Sequence, residues 1–127
     1  MSDRRIKITA GEVSVTASLN DSATADLVWD VLPLEASGNT WGDEIYFRIA
    51  VNASEEDGAN DVVEMGAVAY WPPGQALCLF FGRTPASRGD EIRAASAVNP
   101  LGSIEGDATV LKQVRSGTRI VVERAEG

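Results

Sequence analysis

Residues 66–85 read Gly66-Ala67-Val68-Ala69-Tyr70-Trp71-Pro72-Pro73-Gly74-Gln75-Ala76-Leu77-Cys78-Leu79-Phe80-Phe81-Gly82-Arg83-Thr84-Pro85, and this stretch decides the fold. Two apolar runs, Ala67 to Trp71 and Ala76 to Phe81, lie on either side of Pro72-Pro73-Gly74-Gln75. Proline fixes φ and removes a backbone donor, whereas glycine tolerates positive φ, so the four residues between the runs form a turn. Apolar run, breaker, apolar run predicts a β-hairpin.

Strand patterns continue outward from this hairpin. From Asp43 to Ile49 the side chains alternate, with Ile45, Phe47 and Ile49 on one face and Glu44, Tyr46 and Arg48 on the other. Val13, Val15, Ala17 and Leu19 likewise share one face of a half-buried strand, and Ile6 and Ile8 repeat the pattern before the Ala10-Gly11 break. The break is short enough for an antiparallel hairpin. Between these segments the period changes. After the capping residues Asn20, Asp21 and Ser22, the apolar positions Ala23, Leu27, Val28, Val31 and Leu32 follow helical spacing, and Pro33 ends the run. This predicts one amphipathic helix near the N-terminus, able to cover one mouth of a barrel, with Trp29 at its edge. The polar segment 50–64 and the segment 83–106, which holds Pro85, Gly89, Pro100, Gly102 and Gly106, read as long loops. Thr118 to Glu123 supplies a last strand. Many short strands, one helix and Gly/Pro-rich connections predict a mainly β barrel.

Composition narrows the functions. A chain of 127 residues suits a single domain over residues 1–127, with enough surface buried for one core. The formal net charge of -8 opposes a phosphate backbone, and the largest basic cluster is the pair Arg4-Arg5, so nucleic acid is not an expected partner. No apolar run approaches the roughly 20 residues of a membrane helix, which gives the expectation of a soluble, cytoplasmic protein without membrane contact. Cys78 is the single cysteine and sits in an apolar run, as a buried core residue would. Histidine is absent, which removes Ser-His-Asp catalysis and the commonest metal ligand, so neither a metal nor another cofactor is expected. The acids Glu55, Glu56, Asp57, Asp61 and Glu64 do not follow a calcium-loop pattern and read as a solvated loop.

The order of motifs resembles a family. Leu27 to Pro33, then Thr40-Trp41-Gly42-Asp43-Glu44-Ile45-Tyr46-Phe47, then Gly66 to Pro85, then Val98-Asn99-Pro100-Leu101-Gly102 is similar to the small bacterial and archaeal cyclophilin-like domains over nearly the whole chain. The resemblance implies a closed eight-stranded barrel capped by helices, the architecture of peptidyl-prolyl isomerases. It also implies a departure. Cyclophilins carry a catalytic Arg after a Phe-His pair, a Gln and a Gln-Gly-Gly-Asp run, and none of these strings occurs here. Gly42-x-x-Ile45-Tyr46 is similar to a segment beside the cyclophilin groove, and Leu77 to Gly82 falls where cyclophilins have a groove wall. Phe80 and Phe81 there replace a small Ala-Asn pair and narrow the proline slot.

Prolyl isomerisation needs no nucleophile or metal, only an apolar slot and a donor to the amide nitrogen against a barrier of about 18–20 kcal/mol, so the missing histidine does not forbid it. Arg48 and Arg83 are the candidate donors. The expected site groups Trp41, Asp43, Tyr46, Trp71, Phe81, Arg83 and Thr84 around one concavity. Such an aromatic wall with one guanidinium suits an extended peptide or a planar anionic metabolite. The leading expectation is a domain that binds a small molecule or extended peptide in a barrel-side groove without standard prolyl isomerase activity. An atypical prolyl isomerase is the second expectation, and an enzyme acting on small amides, suggested by fold-level similarity, is the third.

Overall fold

The computed structural model describes residues 4–125. Strands β1 (Arg5–Ala10) and β2 (Val13–Leu19) form the first antiparallel hairpin, closed at Ala10↔Val13 across Gly11-Glu12. The expected face of β2 is the inward one: Val15, Ala17 and Leu19 are buried and Val13 packs at the margin. Helix α1 (Ala23–Asp30) starts at Ser22, whose side chain accepts the Ala25 N–H at 3.2 Å. Its inward face differs from the expected stripe. Thr24, Ala25 and Val28 are buried, whereas Leu27 and Val31 are exposed. The reason is a polar anchor described below, which rolls Thr24 inward. Trp29 lies at the helix edge under the Arg124 guanidinium, 4.6 Å from the ring centre.

After the helix come β3 (Leu34–Ser37), β4 (Asn39–Thr40), β5 (Glu44–Arg48), β6 (Asn60–Val63), β7 (Ala67–Trp71), β8 (Ala76–Phe80), β9 (Ile92–Glu105) and β10 (Arg119–Arg124). The β7–β8 hairpin is as expected, with Pro72–Gly74 in a 3-10 turn, but the positive φ falls on Gln75 rather than on glycine. All strand pairs are antiparallel, and the hydrogen-bonded order is β3-β10-β1-β2-β9-β7-β8-β5-β4, with β6 on β9. The ladder is an open path of this one sheet rather than the closed eight-stranded ring expected. Its two end strands, β3 and β4, are nevertheless consecutive in the chain, separated by Gly38 alone. Gly38 N–H donates to the Thr118 carbonyl and Gly117 N–H to the Gly38 carbonyl, both at 2.8 Å.

The largest departure is β9, which occupies 14 residues of the segment expected to be loop. Pro100 and Gly102 suggested a break, yet both fit the strand. Val68 pairs with Gly102 and Ala69 with Pro100, so Leu101 is an extra residue in a bulge, where proline costs no ladder bond. A Cβ on Gly102 would lie 1.8 Å from the Ser18 carbonyl oxygen, so the glycine is set by the closeness of β2. β9 is long because it serves two layers. Its C-terminal half pairs with β2 and β7, and its N-terminal half pairs with β6.

Two apolar clusters follow from this arrangement. One side of the sheet gathers Ile6, Ile8, Ile45, Phe47, Tyr70, Leu77, Leu79, Phe81, Leu101 and Ile120 with Val28 of the helix. The other side holds a smaller cluster of Ala69, Ala76, Cys78, Phe80, Ile92, Ala94 and Val98. The run Ala76 to Phe80 is apolar at every position because β8 is buried on both faces, and all five residues are buried. Cys78 is among them, 2% exposed.

Candidate functional site

The smaller cluster opens at one side into a cleft of about 270 Å³ lined by Trp41, Glu44, Tyr46, Trp71, Ala94, Ala95 and Val98. Each lining residue is placed by strand geometry. Glu44 and Tyr46 project from the face of β5 opposite Ile45 and Phe47, and their partners Phe80 and Cys78 on β8 share that face. Ala94 and Val98 come from the N-terminal half of β9 and form the far wall. Trp41 sits in the turn entering β5, with its N–H donating to the Glu44 carbonyl at 2.9 Å. That turn needs Gly42 in two ways: φ is +61°, and an added Cβ would lie 2.8 Å from Pro85 and 2.9 Å from the Thr84 Cα. Trp71 is fixed from below and from the side. Its ring lies so close to Gly74 that a Cβ there would be 2.7 Å from two ring carbons, and its Nε1 donates to Ser96 Oγ at 2.7 Å.

Glu44 is the unusual member. It is 5% exposed, and among the described residues no arginine or lysine forms an ion pair with it. Burial pushes its carboxyl up to about 7, and the neighbouring Cys78 thiol offsets this only in part. The thiol in turn is raised well above its ordinary range by burial and by the adjacent carboxyl. A cysteine held protonated in this way is no nucleophile at neutral pH.

The structure brings together three of the expected site residues and separates the others. Trp41, Tyr46 and Trp71 line the cleft. Phe81 does not: Phe80 faces Glu44 across the β5–β8 ladder, so alternation turns Phe81 into the large core, where it is 2% exposed. Phe81 still adjoins the Trp41 turn through its backbone, with its N–H donating to the Asp43 carbonyl at 2.9 Å. Asp43 points away from the cleft toward Lys112, 3.7 Å distant. Arg83 is exposed outside the cleft, and its carbonyl accepts the Asp43 N–H at 2.9 Å. Thr84 is buried in a turn, where its hydroxyl donates to the Arg93 carbonyl and accepts the Ala86 N–H at 3.1 Å. Arg48, the other candidate donor, reaches Gln75 Oε1 at 2.9 Å and lies outside the lining. Glu44, Ala94, Ala95 and Val98 were not expected. Glu44 was signalled by the run Ala76 to Phe80: a strand apolar on both faces implies that the outward residues of its neighbour are covered as well.

A second polar group does structural work. Asn99 is fully buried, donating to Thr24 Oγ1 at 3.1 Å and to the Ser54 carbonyl at 2.9 Å while accepting the Glu56 N–H at 2.8 Å. Glu56 in turn accepts the Thr24 N–H at 2.9 Å and the Thr24 hydroxyl, at the positive end of α1. The acid expected to be solvated is therefore a helix anchor. Among the described residues no group of three or more Cys, Asp or Glu side chains is placed to hold a metal, and no helix is long and apolar enough to cross a membrane.

The family model described as cyclophilin-like matches residues 4–123, and the chain belongs to that family. It is similar to the solution structure of the hypothetical protein AF2241 from Archaeoglobus fulgidus, with 42% sequence identity and a TM-score of 0.82 over 98% of this chain and all of that one. No curated protein matches it.

Proposed function

We propose that this cyclophilin-like domain binds a small molecule, or one side chain of an extended peptide, in the cleft between Trp41, Tyr46 and Trp71, and does not accelerate prolyl isomerisation as ordinary cyclophilins do. The observation that carries this reading is the cleft itself, with three aromatic side chains around one buried carboxyl. Its volume of about 270 Å³ suits a group the size of one amino acid, just below the ~300–1,000 Å³ of drug-sized sites. The sheet in this reading is a barrel that closes on itself through the β3–Gly38–β4 segment, with the cleft on its outer wall.

The lining holds no arginine, so a cationic donor to the proline nitrogen is missing from it. A protonated Glu44 favours a second reading, an atypical isomerase in which the neutral carboxyl supplies the donor. Such activity would fade as pH rises through about 7. Hydrolysis of small amides finds less support, because the Cys78 thiol is buried and held protonated and the lining holds no serine, threonine, cysteine or lysine.

A fragment and metabolite screen by thermal shift, followed by titration, tests the leading reading. Hits should lose about tenfold or more in affinity in Trp41→Ala, because a stacked aromatic is worth on the order of 1 kcal/mol beyond the area it buries. Hits that bind Trp41→Ala and Trp71→Ala as they bind the parent would move the site elsewhere. Isomerase assays on Xaa-Pro peptides at pH 6 and 8 should show no rate within tenfold of an ordinary cyclophilin, a margin of about 1.4 kcal/mol in barrier.

A further inference from the structure

The expected arginine lies outside the cleft, and the charge-bearing group inside it is a carboxyl. Of the seven lining residues, Glu44 is the one acid, Tyr46 is the other titratable group, and the remainder are tryptophan, alanine and valine. The strands paired with β5 are β8, whose residues on this face are Ala76, Cys78 and Phe80, and β4, whose Asn39 lies opposite Tyr46, so neither strand brings a charged group to the face of Glu44 and the one titratable neighbour is a thiol. The basic residue nearest in the chain to the cleft wall, Arg93, is engaged elsewhere, at 2.8 Å from Asp61 and 3.0 Å from Glu91. Lys112 faces Asp43. An acceptor at the bottom of an aromatic cleft, without a counter-charge from the protein, has the chemistry of a receptor for a cation.

We propose that the cleft takes a primary ammonium group on an apolar stem, with Glu44 as its acceptor and Trp41, Tyr46 and Trp71 packed around the stem. This rests on the cleft being the binding site and names what enters it. An ammonium ion supplies what the carboxylate lacks, a hydrogen-bonded positive charge, and the three rings attract the same charge through their faces. A carboxylate ligand would meet repulsion from an ionised Glu44. The notion of a planar anionic ligand is therefore replaced. Because Glu44 titrates at about 7 in the empty cleft, capture of an ammonium ion below that pH expels the carboxyl proton. Affinity then rises with pH through about 7 and levels above it, for as long as the amine stays protonated. A free amine and a lysine side chain share this chemistry.

The experiment uses the full chain and three probes of one shape: benzylammonium, benzyl alcohol and benzoate, titrated by heteronuclear NMR at pH 6 and pH 8. Benzylammonium is expected to shift the Trp41 and Trp71 indole signals, and to bind about five- to tenfold more tightly at pH 8. Benzyl alcohol or benzoate binding as well as benzylammonium overturns the inference but leaves the cleft standing as a site. No binding of benzylammonium overturns it too, and the fate of the cleft is then read from the separate screen with Trp41→Ala. Glu44→Gln, nearly the same shape and free of the buried charge, should reduce benzylammonium affinity about tenfold or more and abolish its pH dependence. Unchanged binding in that variant refutes the role given to Glu44. Comparing benzylammonium with Nα-acetyl-lysine N-methylamide assigns the source, since the tighter binder identifies a free amine or a peptide lysine as the occupant.

Discussion

Glu44 couples the cleft to the stability of the whole domain. In an unfolded chain its carboxyl titrates near the ordinary 4.5, and in the folded protein at about 7. Between these values the folded state holds a proton that the unfolded state has lost, so the contribution to stability is most favourable below about 4.5. It declines as pH rises and is fully unfavourable above about 7. At 1.36 kcal/mol per unit the whole effect is on the order of 3 kcal/mol. Glu44→Gln should therefore be more stable than the parent at pH 8 by about 2–3 kcal/mol and nearly equal to it at pH 5. Urea denaturation of both proteins at the two pH values measures this, and parallel pH profiles would show that Glu44 ionises in the folded protein without penalty. Carboxylates such as Glu91, held down to about 2 by the Arg88 and Gly89 amides and by Arg93, act in the opposite direction at lower pH and cancel in the comparison.

At the level of elements, the Asn99 anchor joins β9, helix α1 and the segment after β5 in one buried polar group. Asn99→Ala would strand the Glu56 N–H and the Ser54 carbonyl together, at a cost of about 2–4 kcal/mol. Native-state hydrogen exchange should then show the Thr24 and Glu56 amides opening well before those of β1 and β2. Exchange unchanged at both amides would mean that water replaces the lost partner. The same anchor explains what the sequence leaves hidden. Periodicity identifies the β1–β2 hairpin, the faces of β5 and the β7–β8 hairpin, because in each the apolar pattern and the turn chemistry agree. It misplaces the helix stripe because Thr24, polar by type, is drawn inward by Asn99 and Glu56. It misses β9 because Pro100 and Gly102 are loop residues by propensity, and only the bulge at Leu101 and the nearness of Ser18 make them strand residues. The candidate site divides in the same way. Tyr46 and Trp71 follow from strand faces, whereas choosing between Phe80 and Phe81 requires the β5–β8 register, which no local pattern contains.

Over the whole molecule, the ladder order places the first and last strands side by side. Ile6 pairs with Arg124, and the Ala125 N–H donates to the Arg5 carbonyl at 2.8 Å. β10 and β1 are thus an antiparallel pair of the kind a short turn of two to five residues ordinarily connects. A short turn leading from Ala125 back to Arg5 could join the two strands without disturbing a ladder bond. If it did, the chain could be opened instead at exposed Gly58, in the turn before β6. Such a circular permutant, beginning at Ala59 and ending at Gly58, should unfold cooperatively and keep the tryptophan environment of the cleft. Loss of cooperative unfolding would mean that the β1–β2 hairpin must form ahead of the rest. Success would make Gly58 a port. A second protein inserted there, or new ends placed there, would leave the Trp41–Trp71 cleft intact, and the order in which the strands are synthesised would become something an engineer can choose.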